Sequence, residues 1–118
     1  MRKFRVYLSG PISGRPIDEV RRAFNRGEEK AERQIGRLFE GVEIVAINPL
    51  KKDLPYEAPW EEHMAEDIKL LAACDAVLML EGWHTSKGAR IERYIANTLH
   101  KLVLYEAGKK VIFGNGND

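Results

Sequence analysis

One carboxylate, Glu92, stands where an α/β sheet would bind a ligand. It closes a short polar segment that follows the apolar run Ala76–Leu80. The segment is Ser86-Lys87-Gly88-Ala89-Arg90-Ile91-Glu92. This pattern predicts a strand, a loop and a helix start, the edge where open α/β sheets bind ligands and where free N–H groups suit phosphate. A carboxylate in a partly dry pocket there is a candidate nucleophile or base. The alternative is an exposed glutamate paired with a neighbouring arginine.

Asp67 is a second unusual carboxylate, because it interrupts an apolar stripe. Trp60, Met64, Asp67 and Leu71 lie at i, i+4, i+7 and i+11, which places them on one face of a helix. Burial of an unpaired carboxylate is costly. Asp67 is therefore either a paired acceptor that fixes a neighbouring loop or a group at the edge of a cleft.

The loop after the first strand offers groups that could hold an anion. Ser9-Gly10-Pro11-Ile12-Ser13-Gly14-Arg15 supplies backbone N–H groups, two hydroxyls and a guanidinium. It lacks the Gly-Lys-Ser/Thr of a P-loop and the G-x-G-x-x-G of a dinucleotide site. A tight turn without a ligand is the alternative. Tyr7, just before this loop, could either pack in the core or reach the same edge. Gly88 would let a ligand approach the backbone closely.

Composition excludes several classes of protein. The chain has 118 residues, 44% of them hydrophobic and 31% charged, which is typical of one globular domain. A net charge of +1 gives no reason to expect a nucleic-acid polymer or a membrane as partner. A single cysteine, Cys74, excludes an internal disulfide, and the three histidines lack metal-ligand spacing. No apolar run suits a membrane span or a signal peptide, so a cytoplasmic location is expected and no metal is.

The elements that would position these groups alternate between strands and helices. Strands are predicted at 4–8, 42–47, 76–80 and 102–105, with a weaker fifth at 111–113, and helices at 17–40, 59–73 and 87–100. This order predicts one α/β domain over residues 1–118, a flavodoxin-like or Rossmann-like three-layer sandwich with four or five mainly parallel strands. Residues 113–118 are expected to form a flexible tail.

Three motifs together resemble a known superfamily. They are Tyr7-Leu8-Ser9-Gly10-Pro11-Ile12, Asp67-x-x-x-Leu71-x-x-x-Asp75 and Ser86-x-Gly88-x-x-x-Glu92. In this order, within residues 4–105, they resemble the nucleoside 2-deoxyribosyltransferase-like superfamily, which includes 2'-deoxynucleoside 5'-phosphate N-hydrolases. The chain is shorter than typical transferases and is similar to small, often phage-associated, uncharacterised members.

The resemblance implies catalytic roles. Glu92 matches the glutamate that attacks the anomeric carbon and forms a covalent glycosyl-enzyme. Tyr7 matches the tyrosine that orients this glutamate, and Asp67 matches the aspartate that protonates the leaving base. These roles correspond to the two-carboxylate mechanism of retaining glycosidases, in which the nucleophile is ionised and the acid has a raised pKa.

The resemblance also bears on the substrate. Ser86 stands where monophosphate hydrolases carry a phosphate-binding serine and transferases commonly carry an aspartate. The implied substrate-binding residues are Ser9, Gly10, Ile12, Ser13, Gly14, Arg15, Ser86 and Gly88. No metal or organic cofactor is implied. A small-molecule nucleotide or nucleoside is the expected partner, and a homodimer or higher homo-oligomer is expected because family sites are completed by a neighbouring subunit. The loop 51–59 has no match in the family.

The expected function is cleavage of the N-glycosidic bond of a (deoxy)nucleoside 5'-monophosphate. Water would resolve the glycosyl-enzyme in a hydrolase, which is favoured, and a second base would do so in a transferase. The alternative is a non-catalytic nucleotide-binding or sensor module that uses the same cleft. A flavodoxin-like or receiver-like module fits less well, because Ser9-Gly10-Pro11 stands where the acidic cluster of a receiver would be. The base, the sugar and the biological role stay open.

Overall fold

Five strands and three α-helices form the structure, a computed structural model that describes residues 1–114. The strands are β1 (Arg2–Ser9), β2 (Val42–Ile47), β3 (Ala76–Met79), β4 (Leu102–Ala107) and β5 (Lys110–Phe113). The helices are α1 (Ile17–Lys30), α2 (Trp60–Ala72) and α3 (Lys87–Thr98). Short 3₁₀ turns at Pro49–Lys51 and Trp83–Thr85 follow β2 and β3.

The sheet has the order β2-β1-β3-β4-β5. Strands β1 to β4 run parallel to one another, and β5 runs antiparallel to β4. The predicted α/β fold with a mainly parallel sheet is therefore confirmed. The chain passes from β1 to β2 on one side and then back across β1 to β3. The switch point lies between β1 and β3, and its carboxyl edge is where such sheets bind ligands.

Alternation along β1 assigns its side chains to two cores. Val6 and Leu8 belong to the core that α1 covers, and Tyr7 belongs to the core shared with α2 and α3. Because side chains of a strand alternate between faces, Ser9 is on the same face as Tyr7. The hydroxyl groups of Tyr7 and Ser9 therefore both lie on the side of the sheet that α3 covers.

The first helix is shorter than predicted. The periodic pattern predicts a helix to about Glu40, but α1 ends at Lys30 and a wider π-helical turn follows at Ala31–Ile35. The predicted apolar stripe of this helix is Val20, Phe24, Ala31, Ile35, Leu38 and Phe39. Ala31 and Ile35 stay fully buried in the π-helical turn, whereas Leu38 is 51% exposed. Phe39 leaves the stripe and stacks on Phe4. Packing onto β1 therefore takes precedence over continuation of the helix.

Other boundaries differ by a few residues. α3 ends at Thr98 instead of His100, which has a left-handed φ of 58°. Phe113, the first residue of the predicted tail, lies in β5, and the tail from 115 onward lies outside the described residues. In residues 1–114, no helix combines the length and apolarity needed to span a bilayer.

Candidate active site

A cleft of about 970 Å³ opens at the switch point between β1 and β3. Its walls come from the loops after β1, β2 and β3 and from the N-terminal turns of α2 and α3. Most of the sequence-predicted site residues line it: Gly10, Ile12, Ser13, Gly14, Arg15, Asp67, Ser86, Gly88 and Glu92. Tyr7 and Ser9 do not line the cleft, but both are buried in contact with Glu92.

Glu92 is held from β1 by two hydroxyl groups. It lies on the buried face of α3 with Ala89 and Ala96, and it is 5% exposed. The Tyr7 hydroxyl donates to Oε2 at 2.9 Å and the Ser9 hydroxyl donates to Oε1 at 2.7 Å. Both carboxylate oxygens therefore have a donor. This arrangement differs from the exposed, arginine-paired glutamate of the alternative interpretation.

Burial governs the protonation of Glu92. Loss of solvent raises the pKa of Glu92 to about 7, and the nearby Asp67 acts in the same direction. The hydrogen bonds from Ser9 and Tyr7 and the charge of Lys52 oppose this rise. Burial, reinforced by Glu92, raises the pKa of Tyr7 well above its usual range, so the phenol keeps its proton and remains a donor.

Asp67 faces a lysine that sequence reasoning missed. The side chain of Asp67 is 7% exposed, and Lys52 Nζ lies 3.1 Å from its Oδ1. The ammonium and the carboxylate therefore form a close, largely buried ion pair. Burial raises the pKa of Asp67 although the Lys52 charge opposes the rise. Lys52 belongs to the loop 51–59, which has no match in the family. Its position after a predicted strand, at the edge where such sheets bind ligands, is the feature of the sequence that could have indicated it.

Two residues determine how α3 begins and how closely it packs on α2: the N-cap Ser86 and Gly88. Ser86 is the N-cap, and its Oγ accepts the N–H of Ala89 at 3.1 Å. A Cβ at Gly88 would lie 3.2 Å from Met64 Sδ, so this glycine lets α3 approach α2 closely. Ser86 and Gly88 therefore shape the helix start as well as line the cleft.

The loop after β1 is tied to the loop after β3. Arg15 donates from Nη2 to Thr85 Oγ1 at 3.1 Å. Gly14 has a φ of 78°, a left-handed conformation that suits glycine. Ser13, Gly14 and Arg15 are exposed at the mouth of the cleft, whereas Ile12 is half-buried against the α1 core.

Positive charge predominates in the cleft. Four cationic side chains line it, Arg15, Arg21, Lys52 and Lys87, against the two carboxylates described above. Lys87 also lies over the Trp60 ring, 4.9 Å from its centroid. The wall and mouth of the cleft thus suit an anionic ligand, while the acidic groups lie deeper.

Comparison with known proteins places the chain in a family. Residues 4–105 match the family described as Domain of unknown function (DUF4406). The chain belongs to the DUF4406 family. The matched span of this DUF4406 domain runs from β1 into β4 and includes every candidate site residue. No curated protein sequence matches the domain.

A solved structure is similar to this DUF4406 domain in fold. It is a 2-desoxiribosyltransferase from Leishmania mexicana, 17% identical, with a TM-score of 0.59 over 96% of this chain and 80% of that chain. At this identity the likeness concerns the fold. The resemblance drawn from the three sequence motifs is thereby confirmed at the level of a deoxyribosyltransferase-like, Rossmann-like architecture.

Proposed function

We propose that this DUF4406 domain cleaves the N-glycosidic bond of a (deoxy)nucleoside 5'-monophosphate. The observation that carries the proposal is the buried carboxylate of Glu92, held by Tyr7 and Ser9 beside the cleft. Two donors and burial orient this group and keep water from it, which suits a nucleophile. The similar fold of a deoxyribosyltransferase supports the same chemistry.

The proposed reaction has two steps. A carboxylate oxygen of Glu92 attacks the anomeric carbon while the bond to the base breaks, and the bonding electrons leave with the base. Asp67 gives its proton to the departing base, which leaves neutral. Water then attacks the anomeric carbon and displaces Glu92, and Asp67 takes the proton from that water. The products are a free base and a sugar 5'-phosphate.

A phosphate on the substrate is supported by the cleft's charge and by α3. The N-terminus of α3 borders the cleft at Ser86, and free N–H groups at a helix start bind anions. The Ser86 hydroxyl uses its oxygen as the cap and keeps its proton for a ligand. Hydrolysis is proposed over transfer because Ser86 matches the monophosphate hydrolases. The proposed steps use no metal or organic cofactor.

A non-catalytic nucleotide-binding module is the second candidate function. The observation that favours it is the 3.1 Å contact between Lys52 and Asp67. A nearby cation favours the ionised form of a carboxyl group, and an ionised Asp67 has no proton to give a leaving base. In this case Glu92 and Asp67 would serve as hydrogen-bonding groups for the ligand.

A homodimer and a cytoplasmic location are proposed from the family resemblance. Several large apolar side chains are exposed and could be covered in a dimer, among them Tyr94 at 71% and Phe113 at 53%. Light scattering after size-exclusion chromatography measures the mass directly. A monomer at micromolar concentration would contradict the homodimer.

The test of function is base release from a panel of nucleosides and their 5'-monophosphates, followed by chromatography. Wild-type protein should release base from a monophosphate faster than from the matching nucleoside. Glu92→Gln should lose about a thousand-fold or more of this rate and stay folded, because the amide is a poor nucleophile of the same size. The exposed Glu29→Gln on α1 is the matched control.

Two outcomes would change the proposal. Undiminished release by folded Glu92→Gln protein would rule out the covalent intermediate. No release from any member of the panel, together with tight binding of a monophosphate in calorimetry, would favour the non-catalytic module.

A further inference from the structure

Lys52 is a buried cation beside the candidate acid. It follows the 3₁₀ turn after β2, and its side chain is 11% exposed. Its ammonium lies 3.1 Å from Asp67 Oδ1 and donates to the Pro49 carbonyl at 3.2 Å. Lys52, Asp67 and Glu92 all line the same cleft. A base that leaves from a sugar at Glu92 and meets Asp67 therefore also meets Lys52.

The ammonium has donors to spare. It carries three N–H groups, and the Pro49 carbonyl accepts from it. Even with a second N–H directed at Asp67, 3.1 Å away, Lys52 has a third N–H available for a ligand. A protonated Asp67 supplies a second donor next to it. The wall of the cleft at this point thus presents two adjacent donors to a base.

Two adjacent donors distinguish two classes of purine. Guanine and hypoxanthine carry the acceptors N7 and O6 side by side, whereas adenine carries the N7 acceptor beside its N6 amino donor. With Asp67 on N7, Lys52 would donate to O6 of a 6-oxopurine. In adenine the same ammonium would face another donor and leave both unpaired, which costs binding free energy.

We propose that Lys52 makes this site select 6-oxopurine over 6-aminopurine bases. The inference rests on the proposed function and specifies its leaving group. In the bond-breaking step, Asp67 donates its proton to N7, the electrons of the glycosidic bond stay on N9, and Lys52 donates a hydrogen bond to O6 of the neutral base that leaves. Lys52 is therefore a specificity-determining residue that contacts the base.

A matched substrate pair tests the proposal. The 5'-monophosphates of 2'-deoxyinosine and 2'-deoxyadenosine share the purine ring and differ in the group at C6. Wild-type protein should release hypoxanthine with a kcat/KM at least about ten-fold above that for adenine. Lys52→Met should remove most of this ratio, and Lys52→Arg, which keeps the cation, should keep part of it. Lys51→Met is the control, because Lys51 is exposed and pairs with Glu28 outside the cleft.

A binding measurement keeps the test decisive if Lys52→Met fails to fold. Glu92→Gln protein, with Lys52 intact, should bind the deoxyinosine monophosphate about ten-fold more tightly than the deoxyadenosine monophosphate in calorimetry. Equal affinities would overturn the selectivity. Base release with a ratio that survives folded Lys52→Met would also overturn it while the proposed function stands. No release from any monophosphate would refute the proposed function, and the selectivity with it.

Discussion

At the scale of one residue, the proposed reaction depends on pH, because Glu92 must lose a proton before it can attack. Burial raises the pKa of Glu92 to about 7, and the neutral carboxyl is not a nucleophile. We therefore expect kcat/KM for base release to rise with pH through about 7. A profile measured from pH 5 to 9 reports the ionisation of the free enzyme. Because Asp67 must keep its proton, its ionisation adds a falling limb at higher pH. A profile with no rising limb would contradict the role of Glu92.

The donors from β1 set where this rise occurs. Each hydroxyl stabilises the ionised carboxylate, so removal of either donor raises the pKa of Glu92 further. Ser9→Ala and Tyr7→Phe should each move the rising limb to higher pH, by about one unit or less. Thr98 lies on α3, the helix that carries Glu92, and its exposed hydroxyl donates to the Tyr94 carbonyl. Thr98→Ala should therefore leave the rising limb in place. A limb that moves to lower pH in either variant would refute this account.

Sequence patterns located the carboxylates of the candidate site better than their partners. Glu92 and Asp67 interrupt apolar stripes or stand at a helix start, and such positions are visible in one sequence. Lys52 is not visible in this way, because its contact with Asp67 exists only once the turn after β2 has packed beside α2. Ser9 was predicted to contact substrate. Its hydrogen bond to Glu92 depends on how α3 packs on β1, which the sequence does not show.

At the scale of elements, two glycines pack closely against one leucine. Leu80, directly after β3, is 1% exposed. A Cβ at Gly10 would lie 3.0 Å from Leu80 Cβ, and one at Gly27 would lie 2.8 Å from Leu80 Cδ2. Leu80 is therefore enclosed by the loop after β1 and by α1. The glycines let both elements approach the sheet edge where the cleft opens.

Gly27→Ala tests this close packing. In an exposed helix, alanine is more favourable than glycine by about 1 kcal/mol, so a free position would gain stability. Here the added methyl group meets an enclosed side chain, and we expect a loss of about 1–3 kcal/mol in the free energy of unfolding. Urea denaturation measures the change. The loss should shrink in a Leu80→Val background, where the Cδ atoms are absent; an equal loss in both backgrounds would show that Leu80 is not the cause.

The existence of the elements was predictable, and some of their ends were not. Apolar periodicity specifies strands and helices because each must bury one face. The end of α1 depends instead on the wide turn that keeps Ala31 and Ile35 buried. The direction of β5 depends on a tight reversal at Gly108, which has a φ of 62°. Both are decided by packing or backbone conformation that hydrophobic spacing does not encode.

At the scale of the whole molecule, strand order assembles the site. Tyr7 from β1, Lys52 after β2, Asp67 on α2 and Glu92 on α3 converge because β1 lies between β2 and β3. An alternation of strands and helices predicts a parallel sheet but leaves the order of its strands open. The family resemblance implies a Rossmann-like sheet, and the structure gives the order of its strands.

Charge is also distributed unevenly over the molecule, which predicts that binding of the proposed substrate is sensitive to salt. The chain is nearly neutral, at +1, yet cations outnumber carboxylates in the cleft. Because salt shortens the range of such attraction, from about 10 Å at 0.1 M to about 3 Å at 1 M, we expect KM for a 5'-monophosphate to rise several-fold between these concentrations. KM for the matching nucleoside should stay nearly constant.

Two arginines on α1 provide a test that distinguishes the effect of charge in the cleft from the effect of the net charge of the chain. Arg21 lines the cleft, whereas Arg26 is exposed beside the second, smaller cavity. Arg21→Gln should raise KM for the monophosphate and weaken its salt dependence, and Arg26→Gln, with the same change in net charge, should do neither. Equal effects of the two substitutions would mean that net charge, and not the cleft, attracts the substrate. Equal salt dependence for nucleoside and monophosphate would remove the phosphate from the proposed substrate.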